Sequence, residues 1–198
     1  MRNTRRLQVL CAWSVAVAAG CGDRLGPVPT DPPIPVAAES GTSDKAGDDE
    51  QNSQRDFDGI AFTIPEKWSE TKLTGMRASI LQAAFGVPEV SDELEVTFSS
   101  VGGGIDQNLQ RWVAQFGGAA ANKESLFVAG SKTTWVDMRG TFSAAVSGRP
   151  GQHANWRLLG AAFRRPPQDL YVKLTGPEQA VADVYDAFRE MVTSASAD

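Results

Sequence analysis

The feature that most constrains this chain is the stretch from Gly22 to Arg55, which holds almost nothing from which to build a core. Pro27, Pro29, Pro32, Pro33 and Pro35 come first, and a tract of Gly, Ser, Asp, Glu and Gln follows, ending in Asp49-Glu50-Gln51-Asn52-Ser53-Gln54. So little apolar surface cannot offset the entropy lost when a chain is ordered. The proline part is expected to be semi-extended and the acidic part coil-like, so residues 21–55 read as a disordered linker. Folding is thereby confined to residues 56–198, one globular domain of about 140 residues, enough for a core without disulfides.

Upstream of the linker, residues 1–6 carry Arg2, Arg5 and Arg6 and no acid, and Leu7 to Ala19 is apolar or small except at Gln8 and Ser14. As a helix that run spans about 20 Å, short of a ~30 Å hydrocarbon core. A basic start, a short apolar run and a small-residue exit predict a signal peptide over residues 1–20. The exit, Val17-Ala18-Ala19-Gly20-Cys21, resembles the lipobox of bacterial lipoproteins, with Ala18 where many lipoboxes carry Leu. The resemblance implies cleavage before Cys21 and at least two acyl chains, of palmitate type, on that cysteine. Two chains anchor stably where one does not. The expected address is the cell envelope, anchored to the inner or outer membrane and facing the periplasm or exterior. Ordinary secretion, with Cys21 an incidental thiol, is the alternative.

Charge and composition remove several classes of function. The formal charge is −5, and loss of the leader with its three arginines takes it to −8, the wrong sign for a nucleic-acid partner. Cys11 falls in the leader, so a mature chain beginning at Cys21 has no intramolecular disulfide and no cysteine metal site. His153 is the one histidine, too few for an ordinary zinc site, and neither a metal nor a cofactor is expected. No Gly-x-Ser-x-Gly elbow, His-Glu-x-x-His pair or cysteine nucleophile is present, so no catalytic residues are assigned.

Within the domain, Ile60, Phe62 and Ile64 alternate with smaller or polar residues, and Pro65 ends the run, predicting a strand. Met76, Ala78 and Ile80 suggest a second. Leu94, Val96 and Phe98 give a third with one polar face. Further strands are expected over Thr134 to Phe142, Trp156 to Phe163 and Leu170 to Leu174, with Leu126-Phe127-Val128 as a short addition. The turn signal Ser147-Gly148-Arg149-Pro150-Gly151 favours antiparallel pairing. Ile105, Leu109, Trp112, Val113 and Phe116 share one helical stripe behind Gly102-Gly103-Gly104, with Asp106 as a candidate cap. Val181, Val184, Tyr185, Phe188 and Val192 make a second, and Thr175-Gly176-Pro177-Glu178 has capping-box spacing. The predicted class is α+β: an antiparallel sheet of about six strands covered by two main helices.

Several of these segments resemble an uncharacterised family of secreted or lipid-anchored bacterial proteins, seen often in planctomycetes. They are Gly102-Gly103-Gly104 leading to Asn108, Arg111-Trp112 and Gln115-Phe116; Arg157-Leu158-Leu159-Gly160-Ala161; Lys173-Leu174-Thr175-Gly176-Pro177; and Phe62-Thr63-Ile64-Pro65 with Trp68. More loosely the arrangement is similar to the PsbP-type α/β/α sandwich. That resemblance implies scaffolding or binding rather than catalysis, and it carries no assigned active site.

The candidate binding surface comprises Asn108, Arg111, Gln115, Trp68 and Trp156. Asn108, Arg111 and Gln115, at i, i+3 and i+7, form a polar stripe beside the apolar one, suited to a groove for a peptide or small polar ligand. The structural alternative has Arg111 stacked on an aromatic ring and Asn108 capping a loop. Trp68 and Trp156 either border a cleft or pack in the core, where an indole N–H needs a partner. The glycine triplet lacks the Lys-Ser/Thr ending of a phosphate loop and reads as a flexible joint. His153 reads as an exposed loop residue. Lys173 is expected to face solvent, opposite Val172 and Leu174, with a basic patch shared with Arg139 and Arg157 as the less favoured reading. The functional expectation is a noncatalytic binding or scaffolding module held at a membrane, its partner an envelope protein or a small ligand. A hydrolase using dispersed carboxylates and a carrier of a small apolar ligand are the alternatives.

Overall fold

The computed structural model describes residues 53–143 and 149–197. The predicted signal peptide, Cys21, most of the linker and the Ser147-Gly148 turn lie outside the described residues. The elements are β1 (Ser53–Phe57), β2 (Ile60–Ile64), β3 (Ser69–Glu70), α1 (Gly75–Ala78), β4 (Ala83–Val87), β5 (Ser91–Val101) and α2 (Gly104–Gln115). After them come β6 (Ala121–Val128), β7 (Ser131–Phe142), β8 (His153–Phe163), β9 (Asp169–Pro177), α3 (Glu178–Asp183), α4 (Tyr185–Thr193) and β10 (Ser196–Ala197). Seven strands form one antiparallel sheet in the order β3-β4-β5-β9-β8-β7-β6, and β1, β2 and β10 form a smaller one. This is the expected α+β class, with short strands added to the predicted set.

Strand alternation divides the large sheet into two faces. On one, Leu94, Val96, Phe98, Leu159, Phe163, Leu170, Val172 and Leu174 pack against α3, α4 and the small sheet. On the other, Val136, Met138, Leu158, Ala162 and Tyr171 pack against α2. β8 is buried from Trp156 to Phe163. Covered on both faces, it reads from Leu158 to Phe163 as a continuous apolar run rather than an alternating one, with Arg157 the one charge in the buried stretch.

Several sequence expectations are corrected. Met76, Ala78 and Ile80 are not a strand: α1 is a single helical turn with no buried residue, and Met76 and Ile80 are exposed. Two-residue spacing of apolar groups is informative only when one face is buried. The strand in this region is β4, whose Ala-Ala-Phe-Gly-Val sequence has weak β-propensity. β1 includes Ser53, Gln54 and Arg55, assigned from sequence to the linker; it is held by pairing with β2, by Arg55 donating to both Glu70 oxygens, and by Phe57 stacked on Phe98 at 4.1 Å.

The C-terminal stripe is buried as predicted, but Val184 (φ −110°, ψ 10°) breaks it into α3 and α4. No capping box forms. Pro177 is the N-cap, and Thr175 is still in β9 with its side chain on the opposite sheet face. Asp106 is no cap either; it lies in the first turn of α2, behind Gly103. Gly103 and Gly104 have φ of 96° and 74° in succession, which glycine alone adopts at low cost. The joint is a specified bend.

Candidate functional site

A seven-stranded sheet is about 30 Å across, at ~4.8 Å per strand, whereas one helix is about 10 Å wide. α2 is the one long helix on its face, and its Ile105, Leu109, Trp112 and Phe116 settle on β7, β8 and Tyr171 of β9. Trp112 lies directly on Gly160, where any Cβ would overlap the indole. The part of that face formed by β5 and β9 is left without a helix over it. A cavity of about 200 Å³ results.

Its floor is the outward-facing set of β5, Glu95, Thr97, Ser99 and Val101, with Lys173 and Thr175 of β9. One wall is α2, through Asn108, Arg111, Trp112 and Gln115. The opposite wall is α1 and its exit, through Arg77, Ile80 and Leu81. Phe142, Arg149 and Trp156 close one end, and the Phe142 and Trp156 rings stack at 5.1 Å.

Four of the five expected surface residues meet here. Asn108 is buried; its amide donates to the carbonyls of Gly104 (2.9 Å) and Gly102 (3.2 Å) and to the Tyr171 hydroxyl (2.8 Å). It is thus the loop cap of the structural reading and also part of the cavity wall. Arg111 donates to Asn108 Oδ1 rather than stacking on a ring. Gln115 Oε1 accepts from Lys173 Nζ at 3.5 Å. Trp156 is buried at the cavity end. Trp68 does not belong with them: it stacks against Phe188 of α4 (6.4 Å), on the other face of the sheet.

Lys173 departs from expectation. Its side chain does point away from Val172 and Leu174, but into the cavity instead of open solvent. Burial pushes its pKa down to about 8, against an attraction from Glu95 that acts the other way. Arg139 and Arg157 lie on other business. Arg157 makes a paired contact with Asp137 (2.9 and 2.7 Å) beneath the Tyr185 ring, and Arg139 bonds Glu178 at 2.7 Å, so no shared basic patch forms. His153 opens β8 with its ring 4.5 Å from that of Trp156, rather than standing in an exposed loop, and its buried Nε2 has no hydrogen-bond partner among the described residues.

Sequence reasoning missed Arg77, Glu95 and Thr97. Arg77 donates to Glu95 at 2.5 Å, and Thr97 Oγ1 to the Lys173 carbonyl at 3.4 Å. The available signal was the polar face of β5, which is the cavity floor. Glu95 is the single carboxylate among the described lining residues, and no cluster of His, Cys, Asp or Glu among the described residues could hold a metal.

No family model matches the chain, and no curated protein matches it in sequence. Solved structures do resemble it. LpqN of Mycobacterium tuberculosis, described as involved in cell envelope biogenesis, aligns at 8% identity and a TM-score of 0.39 over 75% of this chain and 86% of its own. PA94 of Pseudomonas aeruginosa, a putative regulator of unknown function, aligns at 12% and 0.37 over 70% and 91%. Neither likeness is close enough to carry an argument. Cyanobacterial PsbP (CyanoP) from Synechocystis sp. PCC 6803 aligns at 16% identity and a TM-score of 0.50, over 78% of this chain and 98% of its own. That likeness establishes architecture and nothing finer: the described domain has a PsbP-like α+β fold.

Proposed function

We propose that this chain is a lipid-anchored envelope protein of the bacterial family it resembles, whose domain is a noncatalytic binding module, and that the cavity beside α2 is where it binds. The anchor reading rests on the leader and the Val17-to-Cys21 exit. No helix among the described residues is long and apolar enough to cross a membrane, so on this reading Cys21 supplies the attachment. The observation that carries the binding reading is the cavity itself. Apolar rings and a few convergent polar groups around a concavity are the usual makeup of a small-molecule site. Among the described lining residues Glu95 is the one carboxylate, and it is bonded to Arg77, so no pair of acids meets there.

The test is native mass spectrometry of the full chain recovered from its own envelope. A small ligand should accompany the wild type and be lost from Ser99→Trp, which fills the cavity, with melting curves confirming that the variant folds. A ligand retained by Ser99→Trp, or none on the wild type, would remove the cavity from consideration. Intact mass should show loss of residues 1–20 and acyl chains on Cys21; an unmodified thiol would refute the anchor alone.

A further inference from the structure

The charge of the cavity opposes that of the chain. The whole sequence is at −5, yet Arg77, Arg111, Arg149 and Lys173 line the cavity against one acid. Arg77 holds that acid, Glu95, at 2.5 Å, and Arg149 donates to the Asp92 carbonyl. Lys173 and Arg111 are placed differently. Each donates to an uncharged side-chain amide, Gln115 Oε1 and Asn108 Oδ1 respectively. Burial disfavours the charge on Lys173 despite Glu95 nearby, and an entering anion would offset that cost, with the exposed Arg111 as a second donor.

The rest of the wall sets the other half of the ligand. Trp112, Trp156 and Phe142 offer ring surface, and Ile80 and Leu81 add aliphatic surface opposite. A cavity of about 150 Å³ accommodates benzene, so about 200 Å³ has room for one ring or a short acyl chain bearing one small group. Glu95, on the same floor, disfavours a second negative charge.

We infer that the cavity takes a small organic monoanion, an aromatic or short-chain carboxylic acid, with its carboxylate between Lys173 and Arg111 and its apolar body against Trp112 and Trp156. This rests on the reading of the cavity as a ligand site. It makes affinity depend on pH. The groups facing Lys173 are Glu95 on β5, Arg77 on α1, Arg111 on α2 and Arg149 ahead of β8. Arginine and carboxylate side chains ordinarily keep their charge between pH 7 and about 9.5, whereas Lys173, at about 8, loses its own.

The experiment is calorimetric titration of the full chain with 3-phenylpropionate, 3-phenylpropan-1-ol and inorganic phosphate. At pH 7 the acid should bind at least about tenfold more tightly than the alcohol. Lys173→Met and Arg111→Met should each remove most of that preference. Raising the pH to about 9.5 should weaken acid binding about tenfold in the wild type and little in Lys173→Arg. Arg111 is exposed, so its variant still decides the matter should Lys173→Met fail to fold. Equal affinity for acid and alcohol, or binding of phosphate alone, would overturn the inference and leave the cavity reading intact. Acid that does not bind, beside a native chain carrying a neutral or cationic ligand, would do the same. Acid that does not bind and a native chain with an empty cavity would end both.

Discussion

The two faces of the large sheet are built from alternate residues of the same strands, yet they do different work. Toward α3, α4 and the small sheet, the rings of Phe57, Phe62, Phe85 and Phe98 interlock, with Phe98 within 4.1 to 5.8 Å of the other three. The chief charge on that side, Arg157, is matched oxygen for nitrogen by Asp137. Toward α2, one helix covers about half of the strands, and Glu95, Thr97, Lys173 and Thr175 face a cavity. The face under α3, α4 and the small sheet chiefly stabilises the fold, and the part of the other face beside α2 is free to receive a ligand. Substitutions on the first face should cost stability, and those of residues that line the cavity should alter binding with little or opposite effect on stability.

The largest expected effect is Phe98→Ala, which removes a fully buried ring from the aromatic cluster. It should cost about 4 kcal/mol in urea unfolding; a loss under 1 kcal/mol would mean this face is not the main source of stability. Arg157→Met leaves Asp137 without its paired donor, and about 3 kcal/mol should be lost, with Arg139 at 3.5 Å from Asp137 moderating the damage. On the α2 face, Gly160→Val would push Trp112 off its seat at about 2 kcal/mol. That variant sharpens the comparison, because ligand binding should fall with it although Gly160 itself does not line the cavity.

The smallest effect should have the opposite sign. Lys173 titrates at about 8 in the fold against an ordinary value of 10.5, so the unfolded chain binds the extra proton between those values. Below pH 8 both states are protonated and the burial penalty is fully present. Lys173→Met should therefore be about 1 kcal/mol more stable than wild type at pH 7. That advantage should shrink as the pH rises from 8 to 10.5, because the wild type gains stability across that window. Melting curves of the two proteins at pH 7 and 10.5 would show it; an advantage that grows with pH would contradict the placement of Lys173.

Much of this organisation was legible in the sequence, for reasons that also explain the gaps. The stripes at 105–116 and 181–192 are long enough for helical period to assert itself, and β2, β5, β7, β8 and β9 carry branched or aromatic runs. β4 is two alanines, a phenylalanine, a glycine and a valine, and α1 is shorter than any period. At the site, Asn108, Arg111 and Gln115 were legible as a polar stripe because i, i+3 and i+7 share a helix face whatever lies opposite. Period two in β5 and β9 likewise told which residues lie on one face. It did not tell whether that face meets water, a helix or a cavity, so Lys173 was assigned to solvent. Trp68 and Trp156 look alike in sequence, and the strand order, which local pattern does not encode, puts them on opposite faces.

The four tryptophans of the described domain allow the central claim to be tested in one measurement. Trp112 and Trp156 border the cavity, while Trp68 and Trp135 lie on the opposite face of the sheet. In ¹H–¹⁵N spectra of the full chain titrated with 3-phenylpropionate, the indole N–H signals of Trp112 and Trp156 should move together and saturate, and those of Trp68 and Trp135 should stay in place. Movement confined to Trp68 and Trp135, or no saturable movement of Trp112 and Trp156, would contradict the account.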